Sequence, residues 1–232
     1  MRILVGTSGY SYKEWKGSFY PERFPEKEML RFYAGRFPTV EINNTFYRMP
    51  TESMLQRWSS EVPESFAFVL KASRRITHEQ KLRQSSDSVG FFLAAAATLG
   101  HKLGPLLFQL PPTFKQDLPL LREFLALLPR ERRAAFEFRH PSWFEDGVYE
   151  ALRAHGAALC TADTGEPDDP PLLATSDWGY LRLRDEGYDD RELGGWAERI
   201  RSQPWRETFV FFKHEEQGMG PKLAARFIEL AG

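Results

Sequence analysis

The residues of this chain best suited to chemistry recur in one kind of place, the polar end of a short apolar run. Glu41 and Asn43 alternate with Val40 and Ile42, Lys71 closes FAFVLK, and Gln109 stands between Phe108 and Leu110. Glu137 and Arg139 alternate with Phe136 and Phe138, Arg182 and Arg184 with Leu181 and Leu183, and Lys213 closes TFVFFK. Successive side chains of a strand point to opposite faces, so these polar groups share the face turned away from the apolar ones. Asp163, just past AALCT, is expected to join them. Two carboxylates in different surroundings can hold different protonation states at neutral pH. Glu137 is therefore the expected acid or base and Glu41 its partner. Lys71, Arg139 and Arg182 would orient a substrate or stabilise developing negative charge. For a glycosidase, roughly 5 Å between the two carboxyls would signal retention of configuration. The same set also fits an internal ion network that fills its space without chemistry, because a lone buried ion costs several kcal/mol unless paired.

Eight such runs are expected strands: 3–7, 39–43, 66–71, 106–110, 134–138, 157–161, 179–183 and 208–213. Each is rich in β-branched, aromatic or aliphatic residues and is bounded by Gly, Pro or polar residues. Apolar spacings of three and four predict helices over 28–36, 52–61, 89–99, 118–127, 148–154, 192–200 and 222–230. Pro221 suits a first helical turn. The segment 165–176, with its prolines and aspartates, reads as loop in place of the helix after strand six. A strand-to-strand repeat of roughly thirty residues is one βαβ unit. Regular alternation of this kind makes a parallel sheet, and eight strands in 232 residues favour closure into one (β/α)8 barrel, a TIM barrel spanning 1–232. Returns from helix to strand are short and carry Pro38, Pro63, Pro105, Pro129, Gly156 and Pro204. The longer strand-to-helix connections hold the unusual residues, and in this fold those loops build active sites. With helices outside, the polar strand faces should point into the barrel.

Other motifs are weaker. Thr7-Ser8-Gly9-Tyr10 follows strand one, and Ser8 would be a nucleophile only with a base beside it. His78, His140 and His214 lie in strand-end connections and, with Glu137 or Asp163, would make a mixed carboxylate and imidazole metal site. No close pair of histidines occurs, so neither a metal nor any other cofactor is assigned. Gly218-Met219-Gly220 resembles a phosphate-holding turn before the last helix. Loop aromatics Tyr12, Trp15, Phe46, Tyr47 and Trp143 would grip a flat or sugar-like ligand.

A formal net charge of −1 argues against a dedicated nucleic-acid or anionic-membrane surface. Cys160 is the sole cysteine and cannot form an internal disulfide. The apolar stretch at Met1–Val5 is too short for a signal peptide or membrane span, so a cytoplasmic protein is expected.

Long blocks of the chain, in order, resemble the YecE-like proteins, a family of unknown function on a TIM barrel. The blocks are GTSGYSYKEWKGSFYP, FPTVEINNTFYRMP, ITHEQKL, KLGPLLFQLPPTF and FEFRHPSWF. The resemblance implies the barrel and places Thr7, Glu41, Asn43, Lys71, Gln109, Glu137 and Arg139 in the family's motif blocks. It implies no established reaction, substrate or cofactor. The chain departs from the family's pattern at three places. Tyr10 stands where many members have tryptophan, and Arg182-Leu183-Arg184-Asp185 replaces an Arg-Leu-His-Gly type segment. Phe212-Lys213-His214 stands where a Phe-Asn-Asn type segment is common.

The expected function is an enzyme working by acid–base chemistry on a small polar, anionic or sugar-like substrate. Its catalytic residues would be Glu41, Glu137 and Lys71. Thr7, Tyr12, Asn43, Gln109, Arg139, Asp163, Arg182 and Lys213 would bind the substrate. The alternatives are a non-catalytic binder of a nucleotide, sugar or single-stranded nucleic acid, and a metal-dependent hydrolase.

Overall fold

The computed structural model describes residues 1–166, 169–185 and 187–232. Eight parallel strands carry the apolar runs: β1 (Arg2–Thr7), β2 (Thr39–Ile42), β3 (Ala67–Lys71), β4 (Leu103–Gln109), β5 (Ala134–Glu137), β6 (Ala158–Asp163), β7 (Trp178–Leu183) and β8 (Glu207–Phe212). Hydrogen-bonded neighbours run β1-β8-β7-β6-β5-β4-β3-β2. The last gap, between β1 and β2, is joined by one bridge from Ser8 to Glu41 and by the Gly9 amide, which donates to the Glu41 carbonyl at 2.7 Å. The result is a nearly closed (β/α)8 barrel, as the alternation of elements predicts.

The helices are α1 (Met29–Ala34), α2 (Asn44–Tyr47), α3 (Glu52–Ser60), α4 (Ser86–Ala97), α5 (Leu118–Ala126), α6 (Asp146–His155), α7 (Asp190–Arg201) and α8 (Met219–Ala231). Local chemistry starts and stops them. Thr51 accepts from the Met54 amide, Asp117 accepts from that of Leu120, and Asp189 with Glu192 forms a full capping box. Gly156 ends α6 in the left-handed conformation, and Pro221 lies in the first turn of α8. Among the described residues no helix lies between β6 and β7; residues 167 and 168 of the expected loop lie outside them. Two short pieces have no periodicity to announce them: α2, and a π-helical turn at Arg75–Glu79 after β3. That turn overlaps the ITHEQKL block, which ends with Lys81 and Leu82 at positive φ. Such turns gather at functional sites, and both pieces project residues over the barrel mouth. Among the described residues, no helix is long and apolar enough to cross a membrane.

Two apolar cores follow from strand alternation. Val5, Val40, Ile42, Phe68, Leu70, Leu106, Phe108, Phe136, Leu159, Leu181, Val210 and Phe212 face the helices. Leu4, Val69, Leu107, Ala135, Ala158, Cys160, Trp178, Tyr180, Phe209 and Phe211 fill the barrel itself. The interior is therefore a packed plug, and the polar strand ends sit on top of it.

The closing seam depends on Gly6. A Cβ there would lie 2.1 Å from the Thr39 carbonyl oxygen, which is backbone and cannot swing away. Gly6→Ala is accordingly expected to cost about 3 kcal/mol or more, at or above the upper end for overpacking. Urea unfolding of the purified variant checks this, and an unchanged midpoint would show that the seam tolerates separation.

Candidate functional site

Glu41, Glu137 and Arg182 meet on the barrel axis above Tyr180 and Phe211. Arg182 is 1% exposed and Glu41 wholly buried. The Arg182 Nη1 donates to Glu137 Oε2 at 2.6 Å and its Nη2 to Glu41 Oε1 at 2.8 Å. Tyr180, two residues earlier on the same inward face, donates its hydroxyl to Glu41 Oε2 at 2.6 Å. Glu137 accepts in addition from Gln109 Nε2 at 2.7 Å and from Arg139 Nε at 3.1 Å. Burial by itself would raise the Glu137 carboxyl, but Arg182, then Arg139 and the Gln109 bond, hold it well below the usual carboxylate range. The two glutamates push Arg182 further up against its own desolvation, and burial with Glu41 raises the Tyr180 phenol. Each carboxylate oxygen of the pair thus has a donor. The polar atoms left over here are Arg182 Nε and Ser8 Oγ, both buried without a hydrogen-bond partner among the described residues.

Above this network lies a cavity of about 640 Å³, within the range of small-molecule sites. Tyr12, Asn43, Asn44, Phe46, Tyr47, Arg74 and His78 line the side nearest β1–β3, and Arg139, Arg182, Arg184, Lys213 and Glu215 line the other. Lys71 and Gln109 reach into it from the strand ends. Of the cations, Arg182 and Arg139 are engaged by Glu137, and Arg74 pairs with Glu79 at 3.1 Å. Lys71, Arg184 and Lys213 form no ion pair among the described residues. Burial and the Arg182 charge push the Lys71 ammonium down to about 8, with Glu137 and Glu41 only partly opposing them. Lys71 is 8% exposed and its Nζ stands 4.2 Å from the centre of the Phe46 ring. Burial and then Arg182 lower Arg184, and burial and then Arg184 lower Lys213. Burial and then Lys71 lower the His78 imidazole, which keeps it neutral at neutral pH.

Strand phase brings Asn43, Lys71, Gln109, Arg139, Arg182 and Lys213 to this cavity, the connection after β1 adds Tyr12, and Glu41 and Glu137 lie in its floor. Two residues go elsewhere. Thr7 shares the outward face of β1 with Ile3 and Val5: its hydroxyl donates to the Gly9 carbonyl at 2.6 Å, and its amide donates to Tyr33 Oη of α1 at 2.8 Å. Asp163 also faces the helices. Strand β6 continues two residues past Thr161, so Asp163 falls in phase with Leu159 and Thr161, while Ala158 and Cys160 point inward. Its carboxylate accepts from the Tyr188 hydroxyl and from Trp196 Nε1 at 2.9 Å.

The histidines disperse. His78 contacts Thr77 through Nδ1 at 2.9 Å, His140 caps a turn at Ser142, and His214 Nε2 contacts the Asp185 carbonyl at 2.6 Å. No group of three or more His, Cys, Asp or Glu suited to a metal occurs among the described residues. Ser8 has no base bonded to its hydroxyl among those residues, so the nucleophile reading gains no support there. Sequence reasoning misses four residues of the site: Asn44, Arg74, Tyr180 and Glu215. Tyr180 carries a usable signal, the strand phase it shares with Arg182, but a tyrosine between apolar residues reads first as core. The others sit in connections that carry no periodic signal.

Removing Arg182 alone should be severe. Arg182→Met leaves two buried carboxylates facing each other, and breaking a buried pair typically costs about 3–5 kcal/mol. Arg182→Met combined with Glu41→Gln and Glu137→Gln should recover part of that loss. Urea midpoints at pH 7 for the single and triple variants decide it; equal losses would mean that the charges are not coupled.

Comparison with known proteins places the chain in a family. The family described as "Protein of unknown function DUF72" matches residues 4–232. The UPF0759 protein YecE of Escherichia coli (strain K12) is 37% identical, over 95% of this chain and 89% of that protein. The UPF0759 protein YunF of Bacillus subtilis (strain 168) is 29% identical, over 93% of this chain and 79% of that protein. The crystal structure of a DUF72 family protein from Thermotoga maritima MSB8 superposes with a TM-score of 0.83 at 28% identity, covering 99% of both chains. Matched by the family's model over residues 4–232 and 37% identical to the Escherichia coli protein, this chain belongs to the YecE-like DUF72 family.

Proposed function

We propose that this chain is an enzyme for a small anionic molecule, with Lys71 as the group that exchanges a proton. One observation carries the reading. Lys71, Arg184 and Lys213 face one cavity without carboxylate partners among the described residues. Half-buried like charges repel one another, and an anion entering among them relieves that repulsion. A lysine serving only to hold an anion gains nothing from a lowered pKa, since it binds best fully charged. One that titrates near 8 is matched to proton transfer at working pH. His78, kept neutral, is a second acceptor on the same wall.

This reading moves the acid–base role away from Glu41 and Glu137. Glu137, held against its burial below the usual carboxylate range by Arg182 and Arg139, has little basicity to offer. Both Glu41 oxygens are already engaged by Arg182 and Tyr180, so the pair acts instead as fixed negative charge beneath the ligand. Glycoside hydrolysis is disfavoured on the same ground, because a guanidinium occupies the space between the two carboxylates where the scissile bond would lie.

Inorganic phosphate, pyrophosphate and citrate should each raise the melting temperature above that of sodium chloride at equal ionic strength. Arg184→Gln with Lys213→Gln should weaken that binding roughly tenfold or more. Calorimetric titration measures it, and no anion-specific effect in the native chain would remove the proposed function.

Lys71 makes a separate prediction. Below about 8 it is charged in both folded and unfolded chains; from about 8 up to its ordinary value near 10.5 the unfolded chain binds more protons, so its contribution to stability rises with pH. Lys71→Met should therefore stabilise the fold at pH 7, by about 1–3 kcal/mol, and lose that advantage toward pH 10. Any activity should vanish with it. Unfolding curves at the two pH values test the linkage; a variant less stable at pH 7 contradicts it.

A further inference from the structure

Lys71 is placed for more than proton transfer. It ends β3 on the inward face, its stem is packed beneath the cavity wall, and its amine lies against the Phe46 ring rather than against an acceptor. The two carboxylates that would otherwise hold it as an ammonium are taken up by Arg182, Tyr180, Gln109 and Arg139. No hydrogen bond from the amine occurs among the described residues, and the cavity reaches it. A primary amine desolvated beside other cations is the arrangement that activates lysine as a nucleophile toward carbonyl carbon.

We propose that Lys71 condenses with the carbonyl of an anionic aldehyde or ketone, whose charged group is held by Arg184 and Lys213. This rests on the anion-binding reading above and gives it a substrate class. The neutral amine forms the new C–N bond, and both of its hydrogens leave with the carbonyl oxygen as one water. The imine then takes a proton from solvent, and no oxidant or reductant takes part. Burial and the neighbouring Arg182 lower Lys71 to about 8, so far more of its amine is neutral near pH 7.5 than in an ordinary lysine. The resulting cation draws electrons from a neighbouring C–H bond, and the neutral His78 on the same wall can receive that proton.

Borohydride reduction traps such an imine as a stable secondary amine. The full chain is treated with glyoxylate, or with uncharged propanal, in the presence of sodium cyanoborohydride, and labelled sites are mapped by peptide mass. Lys27, which is exposed, serves as the internal reference for intrinsic aldehyde reactivity. With glyoxylate, Lys71 should be labelled at least about tenfold faster than Lys27, and this preference should shrink with propanal. The Lys71 rate should climb with pH through about 8. Arg184→Gln with Lys213→Gln should reduce the glyoxylate preference, and Lys71→Arg should abolish the adduct while phosphate still stabilises that variant. Label spread evenly over lysines, with phosphate still stabilising the native chain, would overturn the imine and leave the anion site standing. Loss of both would overturn the two together.

Discussion

The structure turns on one guanidinium. Arg182 sits where the dry interior of the barrel gives way to its wet mouth, and it joins β7 to Glu41 of β2 and Glu137 of β5. Glu41 is also the residue at which β1 and β2 meet, through its bridge to Ser8 and its carbonyl's bond from Gly9. The seam of the barrel and its internal ion network therefore share a residue. Two buried carboxylates around one arginine carry a net negative charge, which Arg139 and the Lys71 field offset from above. A buried network is tolerable only when nearly all its members are satisfied, and this one meets that condition except at Arg182 Nε.

From that floor the character of the cavity follows. The carboxylates exhaust their accepting capacity downward and sideways, so they have little left for the cations nearer solvent. Lys71, Arg184 and Lys213 each lose basicity through burial first and a neighbouring cation second, Arg182 for both Lys71 and Arg184, and Arg184 for Lys213. Two of these three, Arg184 and Lys213, fall within the Arg182–Asp185 and Phe212–His214 segments at the ends of β7 and β8. The loops from β2 and β3 bring the opposite quality, a wall of Phe46, Tyr47 and His78 beside amide groups of Asn43 and Asn44. On the function proposed above, a ligand suited to both walls would have an anionic end and a flat or weakly polar one.

How much of this is legible in sequence depends on the period of the element concerned. Strand phase is rigid, so the inward direction of Glu41, Lys71, Gln109, Glu137, Arg182 and Lys213 can be read from their apolar neighbours. The same rule misplaces Asp163 only when β6 is ended at Thr161: carried on to residue 163, alternation with Cys160 turns it outward to Trp196. Thr7 draws attention through its place at a strand end and its motif block, although its phase matches Val5 on the helix side. Partner choice is not legible at all. Whether a strand-end glutamate meets a guanidinium or open cavity depends on which strands face each other across the barrel, and no local pattern records that. The short α2 and the π-helical turn are invisible for a related reason, since neither is long enough to establish a period.

The polar strand ends admit two views from sequence alone, an ion network without chemistry and a preorganised pocket, and the function proposed above divides the residues between them. Network behaviour belongs to groups whose charged form the protein itself satisfies, and Glu41, Glu137 and Arg182 are of that kind. Pocket behaviour belongs to groups whose charged form is left in want, and Lys71 is the clearest of these, being buried, next to Arg182 and without an acceptor of its own among the described residues. The first set creates the second. By drawing the glutamates into one arginine, the fold withholds from Lys71 the counter-charge that would have kept it an inert ammonium.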